Sequence, residues 1–208
     1  MEHIGVDYIT GVFMVVFSET IKLFALMTPP AVLSAFLSAT RDYDRARKQA
    51  TARKTSLAVF IIGLLLFLLG DRIFSAFGFT LDAFRIGAGL LLFLSAVSLM
   101  NDTPQKPSFT AEEEISVVPL AIPLCMGPAS IGTVMVLGAS AADGEALLIG
   151  AFSLFFASLG IYLILHYSDA MKKLFGKTGM AVLSKLTGLL LAAIAAQVVF
   201  TGLRSFLQ

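Results

Sequence analysis

Two proline clusters interrupt otherwise apolar sequence. The first is Thr28-Pro29-Pro30-Ala31; the second contains Pro119, Pro123 and Gly127-Pro128-Ala129-Ser130. Each proline removes a backbone donor and frees the carbonyl four residues earlier. In hydrocarbon such a freed group is costly unless something pairs with it. A helix broken in this way also acquires new N-termini, with partial positive charge and exposed N–H groups, suited to a carboxylate. These termini are expected at 31–33 and 129–131. A lone proline is read as a packing kink, whereas two breaks at equivalent places imply a polar cavity between them. Thr28, Pro29, Ala31, Gly127, Pro128, Ala129 and Ser130 are therefore the candidate solute-binding residues.

Other polar side chains fall within apolar stretches. Glu19 and Lys22 stand three apart, on one face of a helix, and can form an ion pair. A charge inside a span is a functional candidate by default, so Glu19 is the candidate proton carrier and Lys22 its partner; the alternative is a neutralised structural pair with Lys22 snorkelling. Gln197 is placed either to bind solute or to hydrogen-bond a freed carbonyl of the fourth span. Ser130 and Thr133 either line the cavity or bond back to their own helix. Gly188, Ala192 and Ala196 form a small-residue stripe expected to permit close helix packing. Arg85 beside Asp82 reads as an interfacial anchor, His166 as interfacial, and Cys125 as a buried packing residue.

The elements that position these residues are membrane spans. Hydrophobic residues make up 57% of the 208 residues and charged ones 14%, against about 25% in soluble domains. The mean hydropathy is +0.88. A spanning helix needs ~20 apolar residues, and six candidate spans emerge: 8–27 continuing to 37, 55–70, 83–100, 115–139, 146–167 and 181–203. The absence of strict alternation favours helices over a membrane β-barrel. The longer polar stretches, 41–54, 101–114 and 168–179, read as loops. A net charge of +1 argues against a nucleic-acid partner. One cysteine excludes an internal disulfide, and His3 and His166 form no metal motif. The first seven residues carry Glu2 and Asp7 where a secretory signal would carry basic residues. No P-loop, His-Glu-x-x-His or nucleophile–base pair is present, so neither an enzyme nor a cofactor is expected. The expected partners are a small solute and the lipid bilayer; the sequence carries no oligomer signal.

The two halves match at a shift of about 99 residues: Met27-Thr28-Pro29 with Met126-Gly127-Pro128, Phe77-Gly78-Phe79-Thr80 with Phe175-Gly176-Lys177-Thr178 one residue out of step, and Gly89-Leu90-Leu91-Leu92 with Gly188-Leu189-Leu190-Leu191. Three spans per half force the copies into opposite orientations. The expected fold is thus one all-α membrane domain over 1–208, with repeat one at 1–100, a cytoplasmic linker at 101–114 and repeat two at 115–208. Helices one and four would be broken, with the site near the midplane. Basic residues crowd the first and fifth loops, Arg41 through Lys54 and Lys172 through Lys185, which places odd loops in the cytoplasm and both termini outside. A secondary transporter or exporter follows from this frame; the competing reading is a non-transporting scaffold or accessory subunit whose breaks are structural.

The segment Val117-Val118-Pro119-Leu120-Ala121-Ile122-Pro123-Leu124-Cys125-Met126-Gly127-Pro128 resembles the signature of the MarC family of bacterial inner-membrane proteins. Phe84 through Phe93 resembles that family's third span, Gly176-Lys177-Thr178-Gly179 its last loop, and Leu186 through Gln197 and Gly202 its last span. The resemblance implies a six-span transporter of neutral amino acids in the inner membrane. One motif departs: the family's first break usually reads Asp or Asn, Pro, a hydrophobic residue and Gly, with a second Pro following. Here Thr28, Ala31 and Ser34 replace the acid or amide, the Gly and the later Pro.

Overall fold

The computed structural model describes residues 2–78, 80–101, 121 and 125–207; at 2–9, 71, 128, 129 and 177 it describes backbone alone. Among the described residues the chain is helical throughout. α1 (Glu2–Leu26) stops where the prolines begin, and α2 (Pro29–Ala39) starts on them. Asp44 caps α3 (Arg45–Phe77), its side chain accepting from Arg47 N–H at 3.1 Å. Gly78 ends α3 in the left-handed region at φ 70°, which glycine enters without steric cost. Thr80 caps α4 (Leu81–Met100) through Ala83 N–H at 3.2 Å. α5 (Pro128–Ala139) again opens on proline. Asp143 caps α6 (Gly144–His166) through Ala146 N–H at 2.8 Å. α7 (Ser168–Phe206) is interrupted at Gly176, with φ 57° and ψ −171°.

These boundaries repeat. The residues preceding α2 and α5, positions 28 and 127, are 99 apart, as are the aspartate caps at 44 and 143; the positive-φ glycines at 78 and 176 are 98 apart.

Four single helices are long and apolar enough to cross a membrane: Arg45–Gly70, Leu81–Met100, Gly144–His166 and Thr178–Phe206. Thr10–Leu26 and Pro29–Ala39 form a fifth candidate bent by 49°. Of the expected fourth span, α5 is the described helix, at 12 residues too short to cross alone; positions 115–120 and 122–124 lie outside the described residues, as do positions 102–114 of the expected linker. Two expected loops are corrected. Most of 41–54 is the first turns of α3, and 168–179 is helical apart from the break at Gly176. At 33 residues α3 is about 50 Å long, well beyond ~30 Å of hydrocarbon, so its basic first turns are helical without being needed for the span. By contrast, α7 is two helices that meet at Gly176, with Thr178–Phe206 the span candidate.

Close packing relies on glycine where backbones meet. On α4 and α7, which run antiparallel, a Cβ at Gly89 would meet Val199 at 2.6 Å, and one at Gly188 would meet the Ala96 carbonyl at 3.1 Å. The buried stripe of α7 is Thr187, Gly188, Leu191, Ala195 and Gly202, so Gly188 belongs to it while Ala196 is exposed and Ala192 half-buried. α5 lies against α3 and α4: a Cβ at Gly70 would approach the Met135 carbonyl to 2.6 Å, one at Gly132 would meet Ala88 at 2.6 Å, and one at Gly138 would overlap the Phe67 carbonyl. α1 runs parallel to α6, joined by Thr20 Oγ1 donating to the Ser153 carbonyl at 3.4 Å and Ser153 Oγ donating to the Val16 carbonyl at 3.2 Å. Large apolar side chains such as Phe13, Leu94, Phe152 and Phe200 face outward, as a lipid-solvated surface allows.

The two ends carry different polar contacts. At one, Lys48 of α3 pairs with Asp169 of α7 at 3.1 Å, bringing the first and fifth basic stretches together. At the other, Arg85 pairs with Asp82 at 2.9 Å and donates to Ser140 Oγ at 2.9 Å, while Ser205 Oγ donates to Asp82 at 2.8 Å. The expected Asp82–Arg85 anchor is present and ties α4 to the end of α5 and to the C-terminal turn of α7.

Candidate functional site

The two breaks meet. In an uninterrupted helix the carbonyl of Leu26 would accept from residue 30, but Pro30 has no N–H. The acceptor is satisfied from the other half of the chain: Ser130 Oγ donates to the Leu26 carbonyl at 2.9 Å, in buried surroundings. Ser130 therefore reaches across 104 positions to α1, a bond that is neither of the two roles expected for it. Thr133 is half-buried on the same helix.

The breaks differ in backbone. Thr28 sits at φ 47° and ψ 59°, the left-handed region, and is the one non-glycine residue with positive φ among the described residues. For a β-branched side chain that conformation is strained. The kink turns the chain so that Thr28 N–H bonds the Ala25 carbonyl at 3.0 Å, while Ala31 N–H and Val32 N–H both bond the Thr28 carbonyl, at 3.0 and 3.1 Å. Pro29 and Pro30 have no N–H to offer. The free donors expected at 31–33 are thus already used at 31 and 32, a correction to the picture of two equal anion-binding termini. At the second break, Met126 N–H bonds the Ala121 carbonyl at 2.9 Å, five residues back in a π-type turn. Gly127 is extended at φ −73° and ψ 170°, a conformation open to any residue, so its backbone angles do not demand glycine. Ile131 N–H closes the first turn of α5 onto the Gly127 carbonyl at 2.9 Å. By helix geometry, the amides of Ala129 and Ser130 precede the first intrahelical bond.

The arrangement is therefore polarised. The end of α1 presents carbonyls at the negative pole of a helix dipole, and the start of α5 presents amides at a positive one. Met27 and Met126, 99 positions apart, flank the breaks and are 1% and 0% exposed; Cys125 is also fully buried. Flexible thioethers fill irregular space and rearrange at low cost.

The remaining candidates lie elsewhere. Glu19 and Lys22 do pair, Nζ to Oε1 at 2.7 Å, one helical turn before the buried Leu23 and Leu26 on α1, with Glu19 half-buried and Lys22 exposed. Gln197 is exposed on α7, outside its buried stripe, and is not brought to the breaks. His166 ends α6 with Nδ1 3.3 Å from the Tyr162 hydroxyl. Among the described residues no group of His, Cys, Asp or Glu is placed to hold a metal ion. Sequence reasoning missed the αL conformation of Thr28 and the partner of Ser130. The signal for the second was present: a freed acceptor at Leu26 requires a donor, and Ser130 is a hydroxyl in the opposite break.

The sequence is similar to those of known integral membrane proteins. The model of the MarC family integral membrane protein matches residues 13–207. A UPF0056 membrane protein of Aquifex aeolicus is 32% identical over 218 residues, covering 100% of this chain and 97% of the relative. One of Methanocaldococcus jannaschii is 33% identical, covering 94% and 97%. The UPF0056 membrane protein YhcE of Escherichia coli is 32% identical, covering 92% and 93%. No solved structure matches the chain.

Proposed function

The chain belongs to the MarC family of integral membrane proteins, found in bacteria and archaea, and from that premise and the geometry of the breaks we propose that it is a secondary transporter or exporter of a small zwitterionic solute, with neutral amino acids the favoured class. The observation that carries the reading is the buried bond from Ser130 Oγ to the Leu26 carbonyl, which holds the positive end of α5 against the negative end of α1. An α-ammonium fits the carbonyls at the end of α1, and an α-carboxylate fits the amides at Ala129 and Ser130. The side chains buried around the breaks, Leu26, Met27, Val32 and Met126, are apolar, which disfavours a charged solute side chain.

The same proposal takes the halves as inverted repeats in the cytoplasmic membrane, with the Lys48–Asp169 end cytoplasmic and both termini outside. It is supported by the 99-residue recurrence of caps and by the antiparallel contact of α4 with its counterpart α7, where Gly89 faces Ala195 and Gly188 faces Ala96. Glu19 is the candidate coupling acid, Lys22 its counter-ion, and no catalysis is assigned. A scaffold reading is favoured by one observation, the complete burial of Met27 and Met126 at the breaks.

Uptake of labelled neutral amino acids into proteoliposomes, with and without imposed proton or sodium gradients, separates the readings. Transport is expected for the native protein and is expected to be mostly lost in Ser130→Ala, with expression intact. Glu19→Gln is expected to abolish gradient-driven accumulation while sparing exchange. Neutral amino acid flux no greater than in protein-free vesicles under every gradient would sink the transporter reading in favour of the scaffold.

A further inference from the structure

Away from the breaks, a cavity of about 330 Å³ opens where the first turns of α3 meet the junction of α6 and α7. Its charges do not cancel. Lys48 is matched by Asp169 at 3.1 Å, whereas Arg45, also in the wall, makes no ion pair among the described residues. Ser168 lines the same cavity at 3% exposure, and its hydroxyl has no partner among the described residues. Gln49 adds a half-buried amide. Ser168 also opens α7, whose N-cap residue Tyr167 supplies no side-chain acceptor, so the first-turn amides lack a capping group. An unmatched guanidinium, a buried hydroxyl and an uncapped helix start converge on one space, and a tetrahedral oxyanion satisfies all three.

The level of the cavity identifies the carrier of that anion. Tyr162, His166 and Tyr167 ring the end of α6, the position of an aromatic belt at a membrane interface. Towards the span, α3 and α6 continue outward with exposed Leu57, Ile61 and Leu163, a surface for acyl chains. Lys172 and Lys173 stand exposed on the next turn of α7 and add to the positive field. We propose that this cavity binds the phosphate of an anionic phospholipid headgroup, with Arg45 as its charge partner and the Ser168 hydroxyl as a donor. The site stands apart from the breaks and does not rest on the transport reading.

The test uses the full-length protein, released from detergent into a mass spectrometer after exposure to phosphatidylglycerol or phosphatidylcholine. Retention of phosphatidylglycerol over phosphatidylcholine is expected. Arg45→Ala should lower that retention about fivefold, the effect of one interfacial basic residue; Ser168→Ala should lower it less, and Arg45→Lys should keep most of it. Arg41→Ala, in the same basic stretch but not in the cavity wall, should leave it unchanged. Equal retention of the two lipids, or equal losses in Arg41→Ala and Arg45→Ala, overturns the site. Arg45-dependent thermal stabilisation by inorganic phosphate, without preference between the lipids, overturns the lipid as its source.

Discussion

Thr28 holds the least comfortable backbone among the described residues, and its neighbours explain why it stays. Pro29 and Pro30 cannot continue α1, and the turn that replaces it needs a left-handed residue at position 28. A β-branched residue there costs about 1–2 kcal/mol, whereas Asn enters that region more readily. The acid or amide at this place in the resembling family motif suits the same turn. Thr28→Asn is accordingly expected to raise thermal stability in detergent by up to about 1 kcal/mol; a lower melting temperature would show that the threonine side chain makes a compensating contact. The prolines were legible in sequence because a missing N–H is a local covalent fact. The αL turn was not, since several backbone solutions can follow Pro-Pro. Nor was the partner of Ser130, because a bond spanning 104 positions depends on how two distant helix ends dock.

Helices were easier to foresee than their faces and limits. Polar runs at 41–54 and 168–179 read as loops because a span-length rule stops at the hydrocarbon edge, yet Asp44 caps a helix that continues straight through the basic residues. The small-residue stripe of α7 was misplaced by spacing alone: Gly188 is buried, but Leu191 and Ala195 complete its face, because the register is set by contact with α4. Contact, not composition, also distinguishes the glycines. A Cβ at Gly138 overlaps the Phe67 carbonyl, a backbone atom that cannot swing aside, whereas one at Gly87 meets nothing within 4 Å. Gly138→Ala should therefore cost about 1–3 kcal/mol by overpacking, and Gly87→Ala should be neutral or stabilise by up to about 1 kcal/mol. Thermal unfolding of both variants checks this; equal melting temperatures would mean that α5 does not press on α3 as described.

At the scale of the molecule, the two polar ends imply a fixed sidedness. Single cysteines at Arg41→Cys and Lys172→Cys should react with a membrane-impermeant reagent from one face, the cytoplasmic one in our proposal, and Ala142→Cys from the other. Labelling of Arg41→Cys and Lys172→Cys from opposite faces would refute the shared end marked by Lys48 and Asp169. Such scanning needs no prior removal of the native thiol, because Cys125 is the only cysteine and is wholly enclosed. Its enclosure has a second consequence. Cys125 lies two residues before the extended Gly127, so a motion that parts the breaks to admit a solute, as the proposed transport requires, is expected to wet this sulfur. On the transport reading proposed above, the protein would carry its own clock for opening: alkylation of Cys125 by a small permeant maleimide should be slow at rest and should quicken under turnover, so that the labelling rate, read against solute concentration, would time the gate without any engineered probe.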